Sequence, residues 1–239
     1  MTCCRSRNWR RKVGNRHERV RARIEEVGII ASVHAKSADD ATFAARTVFL
    51  AGIPIVEISM TVPDALSVIS DFAKHTPDLI VGADSAWDLE SARRAVDAGA
   101  MFVTSPGLDS RSILEFAIKE DLVVIPGALT PTEVSAAWQS GADFVKVFPC
   151  HSMGGPRYIR SLRAPFPEIQ FVASGGVNQA NAADFIAAGA VALGIGTELI
   201  PREAVEKRDR GWITELARRF LAIIKDARAA RSEQPFSKS

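Results

Sequence analysis

From Gly28 onward, short runs of β-branched and apolar residues alternate with helical stretches of 10–15 residues, and no other feature restricts the fold as much. Such alternation builds parallel βαβ units, with helices covering a buried sheet. The expected strands are Ile29–Val33, Ile55–Ser59, Leu79–Gly82, Met101–Thr104, Leu122–Ile125, Phe144–Val147, Gln170–Ala173 and Ala192–Ile195. Helix starts lie between them: Ser37-Ala38-Asp39-Asp40 before Ala41–Leu50, Asp88 before Leu89–Ala98, and Pro131-Thr132-Glu133. Gly52, Gly99, Gly141 and Gly189 each close a helix just before an even-numbered strand, at intervals of 42–48 residues. Two βα units per period and four periods give eight strands. A (β/α)8 TIM barrel takes roughly 250 residues, and this chain has 239. The competing doubly wound sheet carries a glycine-rich loop after its first strand; none follows Val33. The expected class is α/β, a (β/α)8 barrel with an extra N-terminal helix near Arg16–Glu26.

The expected organisation is a basic, disordered leader over residues 1–15, the barrel over 16–229 and a polar tail over 230–239. Between Arg5 and Arg23 stand eight arginines and one lysine against the single acid Glu18. A lone Trp9 within that run does not make the aromatic interleaving of an RNA-binding face, and a net charge of +2 argues against a nucleic-acid-binding body. No apolar stretch approaches the ~18–20 residues of a membrane span, and the basic start lacks the apolar core of a secretory signal. Three cysteines, two adjacent at Cys3 and Cys4, suit neither a disulfide framework nor a four-ligand zinc site. A reducing cytoplasm is the expected compartment.

Catalytic residues of such barrels project from the C-terminal ends of the strands. Those ends bring forward Glu57, Asp84, Ser85, the Ser105-Pro106-Gly107 turn, Lys146, Ser174-Gly175-Gly176 and Gly194-Ile195-Gly196-Thr197. Lys146 alone among the lysines sits inside a strand of Val and Phe, in Phe144-Val145-Lys146-Val147-Phe148-Pro149. A desolvated lysine has a lowered pKa and becomes a nucleophile toward ketones; equally, it can be a structural partner of Glu57 or snorkel to the rim. Glu57, flanked by apolar residues, suits either proton transfer or a structural ion pair with Lys146. Ser174-Gly175-Gly176, ahead of a helix expected near Gln179–Ala188, and Gly196-Thr197 match the phosphate loops that follow the last two strands in this fold. Their other reading is two tight turns without a ligand.

With these blocks in this order, the sequence resembles the 2-keto-3-deoxy-6-phosphogluconate and 4-hydroxy-2-oxoglutarate aldolases from about Gly28 to Ala229. The similarity also includes Ile80-Val81-Gly82-Ala83, Ile125-Pro126-Gly127 and Gly154-Gly155. The resemblance implies that Lys146 is the Schiff-base lysine of a class I aldolase and Glu57 its general acid/base. It implies that Ser174, Gly175, Gly176, Gly196 and Thr197 hold phosphate, that Ser85 and Pro106 line a pyruvyl pocket, and that the assembly is a homotrimer. Neither a metal nor a cofactor is implied beyond the covalent imine. The implied partners are pyruvate and a phosphorylated 2-keto acid, cleaved to pyruvate and glyceraldehyde 3-phosphate; 4-hydroxy-2-oxoglutarate and the galactonate epimer are the alternative substrates. A non-catalytic barrel binding a phosphorylated metabolite is the alternative of another class. The chain departs from the family pattern at four positions. Thr61 replaces an arginine common four residues after the glutamate, and His34 replaces the arginine that other members carry after strand 1. Asp84 replaces a glycine, and Cys150 a small residue, often alanine. Recognition of the substrate carboxylate is thereby expected to pass to Thr61, Ser85, His34 and backbone N–H groups.

Overall fold

The computed structural model describes residues 15–107 and 111–233. The expected leader lies outside them except for Asn15, as do Cys3, Cys4 and the last six residues of the expected tail. The strands are β1 (Ile29–Val33), β2 (Ile55–Ser59), β3 (Ile80–Asp84), β4 (Phe102–Thr104), β5 (Val123–Ile125), β6 (Gly127–Ala128), β7 (Val145–Val147), β8 (Phe171–Ser174) and β9 (Ala192–Ile195). The helices are α1 (Asn15–Val27), α2 (Ala38–Leu50), α3 (Ala65–His75), α4 (Leu89–Asp97), α5 (Arg111–Lys119), α6 (Pro131–Gln139), α7 (Pro156–Arg163), α8 (Ala182–Ala187), α9 (Arg202–Glu206) and α10 (Arg210–Glu233). The last helix thus continues four residues past the expected barrel limit at 229.

All strand pairs are parallel, in the order β5-β4-β3-β2-β1-β9-β8-β7-β6. Its two ends, β5 and β6, are separated only by Pro126; β5 falls within the fifth expected strand, Leu122–Ile125, and β6 continues its line beyond the expected end. Proline has no N–H to give a ladder, so the strand divides there: β5 pairs with β4, and β6 pairs with β7. The backbone still bonds across the seam, from Asp143 N to Val124 O at 3.3 Å and from Lys146 N to Pro126 O at 2.9 Å. The ring therefore closes, and the architecture is an eight-stranded (β/α)8 barrel.

Side chains alternate across each strand, and this sorts the core into two parts. Outward residues such as Ala31, Val56, Ile58, Val81, Val145, Val147 and Leu193 pack beneath the helices. Each valine, leucine or isoleucine among them contributes about 1.5–3 kcal/mol on burial. Inward residues Ile30, Ile55, Ile80, Phe102, Val123, Ile125, Phe144, Val172 and Ala192 form a separate floor. Val20 and Ile24 of α1 close this floor from below. The Phe102 ring occupies the space that any side chain at Gly82 would need, 2.5 Å from an added Cβ. Helix α1 is held by more than apolar contact: buried His17 Nε2 lies 2.9 Å from Asp143 Oδ1, while Asp143 Oδ2 accepts from Val124 N at 3.0 Å. Arg16 donates to Ala100 O, and Arg21 and Arg23 pair with Glu25 and Glu26. Arg16, Arg21 and Arg23 of the basic run are thus engaged within or beside α1.

The expected helix starts hold, with their caps. Ser37 accepts from Asp40 N, and Asp88–Ser91 and Thr130–Glu133 form capping boxes. One start is later than expected. Helix α8 begins at Ala182 because Asn178 and Asn181 bond the local backbone: Asn178 Oδ1 accepts from the N–H of Ala180 and Asn181, and Asn181 Oδ1 accepts from Asn178 N. Asparagine in this position competes with helix formation. No helix among the described residues is long and apolar enough to cross a membrane.

Candidate active site

Two residues along from the apolar floor, the inward positions become polar. Ile30 is followed by Ser32, Ile55 by Glu57, Phe102 by Thr104, Phe144 by Lys146 and Val172 by Ser174, all buried. Strand β3 extends two residues beyond its expected end, pairing Ser59 with Asp84. Asp84 therefore shares the inward parity of Ile80 and Gly82. Lys146, on β7, reaches across this layer. Its Nζ lies 2.8 Å from Asp84 Oδ1, 3.4 Å from Glu57 Oε1 and 3.5 Å from Thr104 Oγ1. Thr104 Oγ1 in turn lies 2.7 Å from Asp84 Oδ1 and 2.8 Å from Glu57 Oε2. Ser32 donates to Glu57 Oε1 at 2.5 Å. Glu57, Thr104, Asp84 and Lys146 thus form one closed ring of contacts.

Burial and the neighbouring Asp84 push the Glu57 carboxyl above the ordinary glutamate value, despite Lys146 and the two hydroxyls. Burial also acts on Asp84, but the Lys146 ammonium, by charge and by hydrogen bond, outweighs it and holds that carboxyl low. For Lys146, burial would lower the pKa, yet Glu57 and Asp84 together raise it. This corrects the expectation that the apolar strand frees the amine. Val145 and Val147 face outward, so the lysine meets the two acids instead. The resting side chain is an ammonium, and forming a nucleophile requires handing a proton to a neighbour.

Above the ring opens a cavity of about 230 Å³. Lys146, Asp84, Ser85, Pro106 and His34 line one part of it, and Ser174, Gly175, Gly176, Gly196 and Thr197 line another. Its nitrogen-bearing side chains are Lys146 and His34, whose Nε2 is 3.7 Å from Asp84 Oδ2. Thr61 is not part of the lining. It is exposed and its hydroxyl is 2.7 Å from Ser59 Oγ. Glu57 is not part of it either; it is 1% exposed, beneath the lysine.

Gly175 and Gly176 have φ of +83° and +78°, in the left-handed region that favours glycine. A Cβ on Gly176 would stand 2.3 Å from the Cβ of His151. Glycines in this conformation let the backbone approach a ligand closely. Because α8 starts only at Ala182, the loop itself, rather than that helix end, borders the cavity. Exposed Glu198 also lines the cavity. Cys150 is buried, with its thiol pushed up to about 12 by desolvation. A thiol held in its neutral form makes a poor nucleophile.

Thr104 and Ser32 did not stand out in the sequence, although counting by twos from Phe102 and Ile30 finds both on the inward face. Among the described residues, no group of three or more His, Cys, Asp or Glu is placed to hold a metal ion.

Comparison with known proteins bears on this arrangement. The sequence model for KDPG and KHG aldolase matches residues 20–216. A 2-dehydro-3-deoxy-phosphogluconate aldolase of Pseudoalteromonas atlantica is 33% identical over 178 residues, covering 74% of this chain and 82% of that protein. The KHG/KDPG aldolase of Escherichia coli K12 is 30% identical over 190 residues, covering 80% and 89%. Among solved structures, a KDPG aldolase from Legionella pneumophila, with pyruvate captured at low pH as a covalent carbinolamine, superposes with a TM-score of 0.77. It is 26% identical, and the match covers 85% of this chain and 97% of that one. With most of its barrel inside the match, this chain belongs to the KDPG and KHG aldolase family.

Proposed function

We propose that the chain is a Schiff-base (class I) aldolase that cleaves a 2-keto-3-deoxy-6-phospho sugar acid to pyruvate and glyceraldehyde 3-phosphate. The observation that carries this reading is Lys146, buried at the base of a cavity and flanked at 2.8 and 3.4 Å by two carboxyls. An amine attacking a ketone needs a proton acceptor beside it, and the resulting iminium needs a group that exchanges protons with the substrate. Both needs are met within the ring. A barrel that only binds a phosphorylated metabolite would have no use for a lysine buried at such cost.

The double-glycine loop supports a phosphate at the far end of the substrate. The dicarboxylate 4-hydroxy-2-oxoglutarate is the less favoured substrate, because no arginine among the described residues lines the cavity and a guanidinium fork is the usual partner of a carboxylate. The pyruvyl carboxylate then falls to Ser85, His34 and backbone N–H groups. Family membership supports extending the reading to a homotrimer, and the buried free thiol of Cys150 fits a reducing cytoplasm.

The test is a coupled lactate assay on 2-keto-3-deoxy-6-phosphogluconate, its dephosphorylated form and 4-hydroxy-2-oxoglutarate. Hydrogen bonds to a charged group are worth about 1.5–3 kcal/mol each, so two of them predict a kcat/KM at least ~100-fold higher with the phosphate. Equal rates with and without it would remove the phosphate from the reading. A faster rate on 4-hydroxy-2-oxoglutarate would replace the substrate while keeping the chemistry.

A further inference from the structure

We propose that Asp84 is the fixed counter-ion of the Lys146 nitrogen, staying ionised through the cycle while Glu57 carries the proton. This rests on reading Lys146 as the Schiff-base nucleophile. Asp84 borders the cavity, and its Oδ1 lies 2.8 Å from Nζ, closer than Glu57 Oε1 at 3.4 Å. The same Oδ1 is 2.7 Å from Thr104 Oγ1, and Oδ2 is 3.7 Å from His34 Nε2.

The ring treats its two carboxyls differently. Thr104 has one hydroxyl proton, and its oxygen lies within 2.8 Å of an oxygen on each acid. When that proton points to Asp84, the contact with Glu57 Oε2 is a hydrogen bond only if Glu57 carries a proton of its own. Asp84 thus collects the donors, while Glu57, 1% exposed, is placed to receive a proton and give it back. The electrostatics agree. Burial opposes the charge on Asp84 but Lys146 outweighs it, whereas burial and Asp84 together push Glu57 up. Two acids driven apart by their surroundings divide the roles of standing charge and proton carrier.

The nitrogen is cationic on both sides of imine formation, and the standing charge serves both states. A proton passes from the ammonium to ionised Glu57, and the amine pair forms the N–C bond to C2 while the carbonyl π pair moves to oxygen. A second proton passes from nitrogen to that oxygen. Glu57 returns its proton to the resulting hydroxyl, which leaves as water while the nitrogen pair closes the iminium. Asp84 keeps its charge throughout.

That charge also sets the pH of attack. Lys146 and Glu57 must lose one proton between them before the amine is free. Loss from Lys146 forfeits an attraction to Asp84, and loss from Glu57 adds a repulsion, so either route is deferred to higher pH. Among the described residues, the titratable groups facing this proton are Glu57 and Asp84, with His34 beyond Asp84.

The experiment measures the initial rate at which cyanoborohydride captures pyruvate on the full chain, at subsaturating pyruvate, from pH 5.5 to pH 8. The rate of Asp84→Asn divided by that of wild type is expected to rise at least ~10-fold as pH falls across this range, since a neighbouring anion favours the ammonium by about that factor or more. A merely structural loss would lower the rate alike at every pH. The comparison is repeated in a His34→Gln background, with pyruvate raised to restore a measurable rate, and the rise should persist. A flat ratio, a folded Asp84→Asn that captures nothing at any pH, or a rise that vanishes with His34 overturns the proposal. Should Asp84→Asn not fold, Asp84→Gly, the residue of the family pattern at that position, is judged by the same limits. A wild-type chain that captures no pyruvate overturns the aldolase reading itself, and this proposal with it.

Discussion

Lys146→Met is expected to abolish turnover and to lower stability at pH 7 by about 3 kcal/mol. The loss of turnover follows from chemistry, since a thioether forms no imine and neither neighbouring carboxyl can replace the amine. The loss of stability follows from electrostatics. Asp84 is buried and its closest cation is Lys146; removing one partner of a buried pair costs about 3–5 kcal/mol because the other charge is left uncompensated. The lower end applies here, since Asp84 borders a cavity that water can enter. The pH dependence carries the sign. In the wild type the Asp84 carboxyl is held below its ordinary value, so its contribution is present above about pH 4 and lost as pH falls through the folded value. Without the ammonium, burial, the largest influence, is opposed only by the Thr104 hydrogen bond and His34, and the folded value rises above the unfolded one. The variant then gains relative to wild type as the solution is acidified. Urea midpoints at pH 7 and pH 5 should show the gap between the two proteins narrowing at the lower pH. A constant gap would mean that Asp84 is not held by Lys146.

Gly176→Ala is expected to raise KM for the phosphorylated substrate by ~10–100-fold, while leaving the rate of borohydride trapping with pyruvate within about threefold. At φ +78° the alanine is strained, and its Cβ would lie 2.3 Å from the Cβ of His151. A residue in that conformation costs on the order of 1–3 kcal/mol unless the loop moves. If the loop moves, the N–H groups that would face a phosphate move with it, and one charge-assisted hydrogen bond is worth about 1.5–3 kcal/mol. Lys146 and its two carboxyls lie on other strands and are left in place. Because pyruvate has no phosphate, it separates the two ends of the cavity. An equal loss with both ligands would show that the loop supports the lysine rather than the phosphate.

Much of the barrel could be read along the chain because its signals are local. Period-two runs place the strands, and Ser37, Asp88 and Thr130 cap the helices that follow them. Closure needed no signal of its own, but the division of the fifth strand at Pro126 follows from a missing N–H visible in the sequence. What escaped was the cross-strand environment. Lys146 sits between two valines in sequence, yet those valines face the helices and the lysine faces Asp84. Its charge state is therefore set by residues 62 and 89 positions away. Thr104 was hidden for the same reason: nothing local distinguishes it until the inward parity of four strands is laid side by side. The sequence also does not fix the direction of Thr61, whose hydroxyl lies 2.7 Å from Ser59 Oγ, outside the cavity lining.

The central claim is that Lys146 becomes covalently joined to the substrate. Borohydride reduction in the presence of pyruvate, followed by proteolysis and mass mapping, tests it most directly. The account predicts a single reduced pyruvyl adduct, carried by the peptide that contains Lys146 and lost in Lys146→Met. An adduct on any other lysine, or one that persists in that variant, would contradict it.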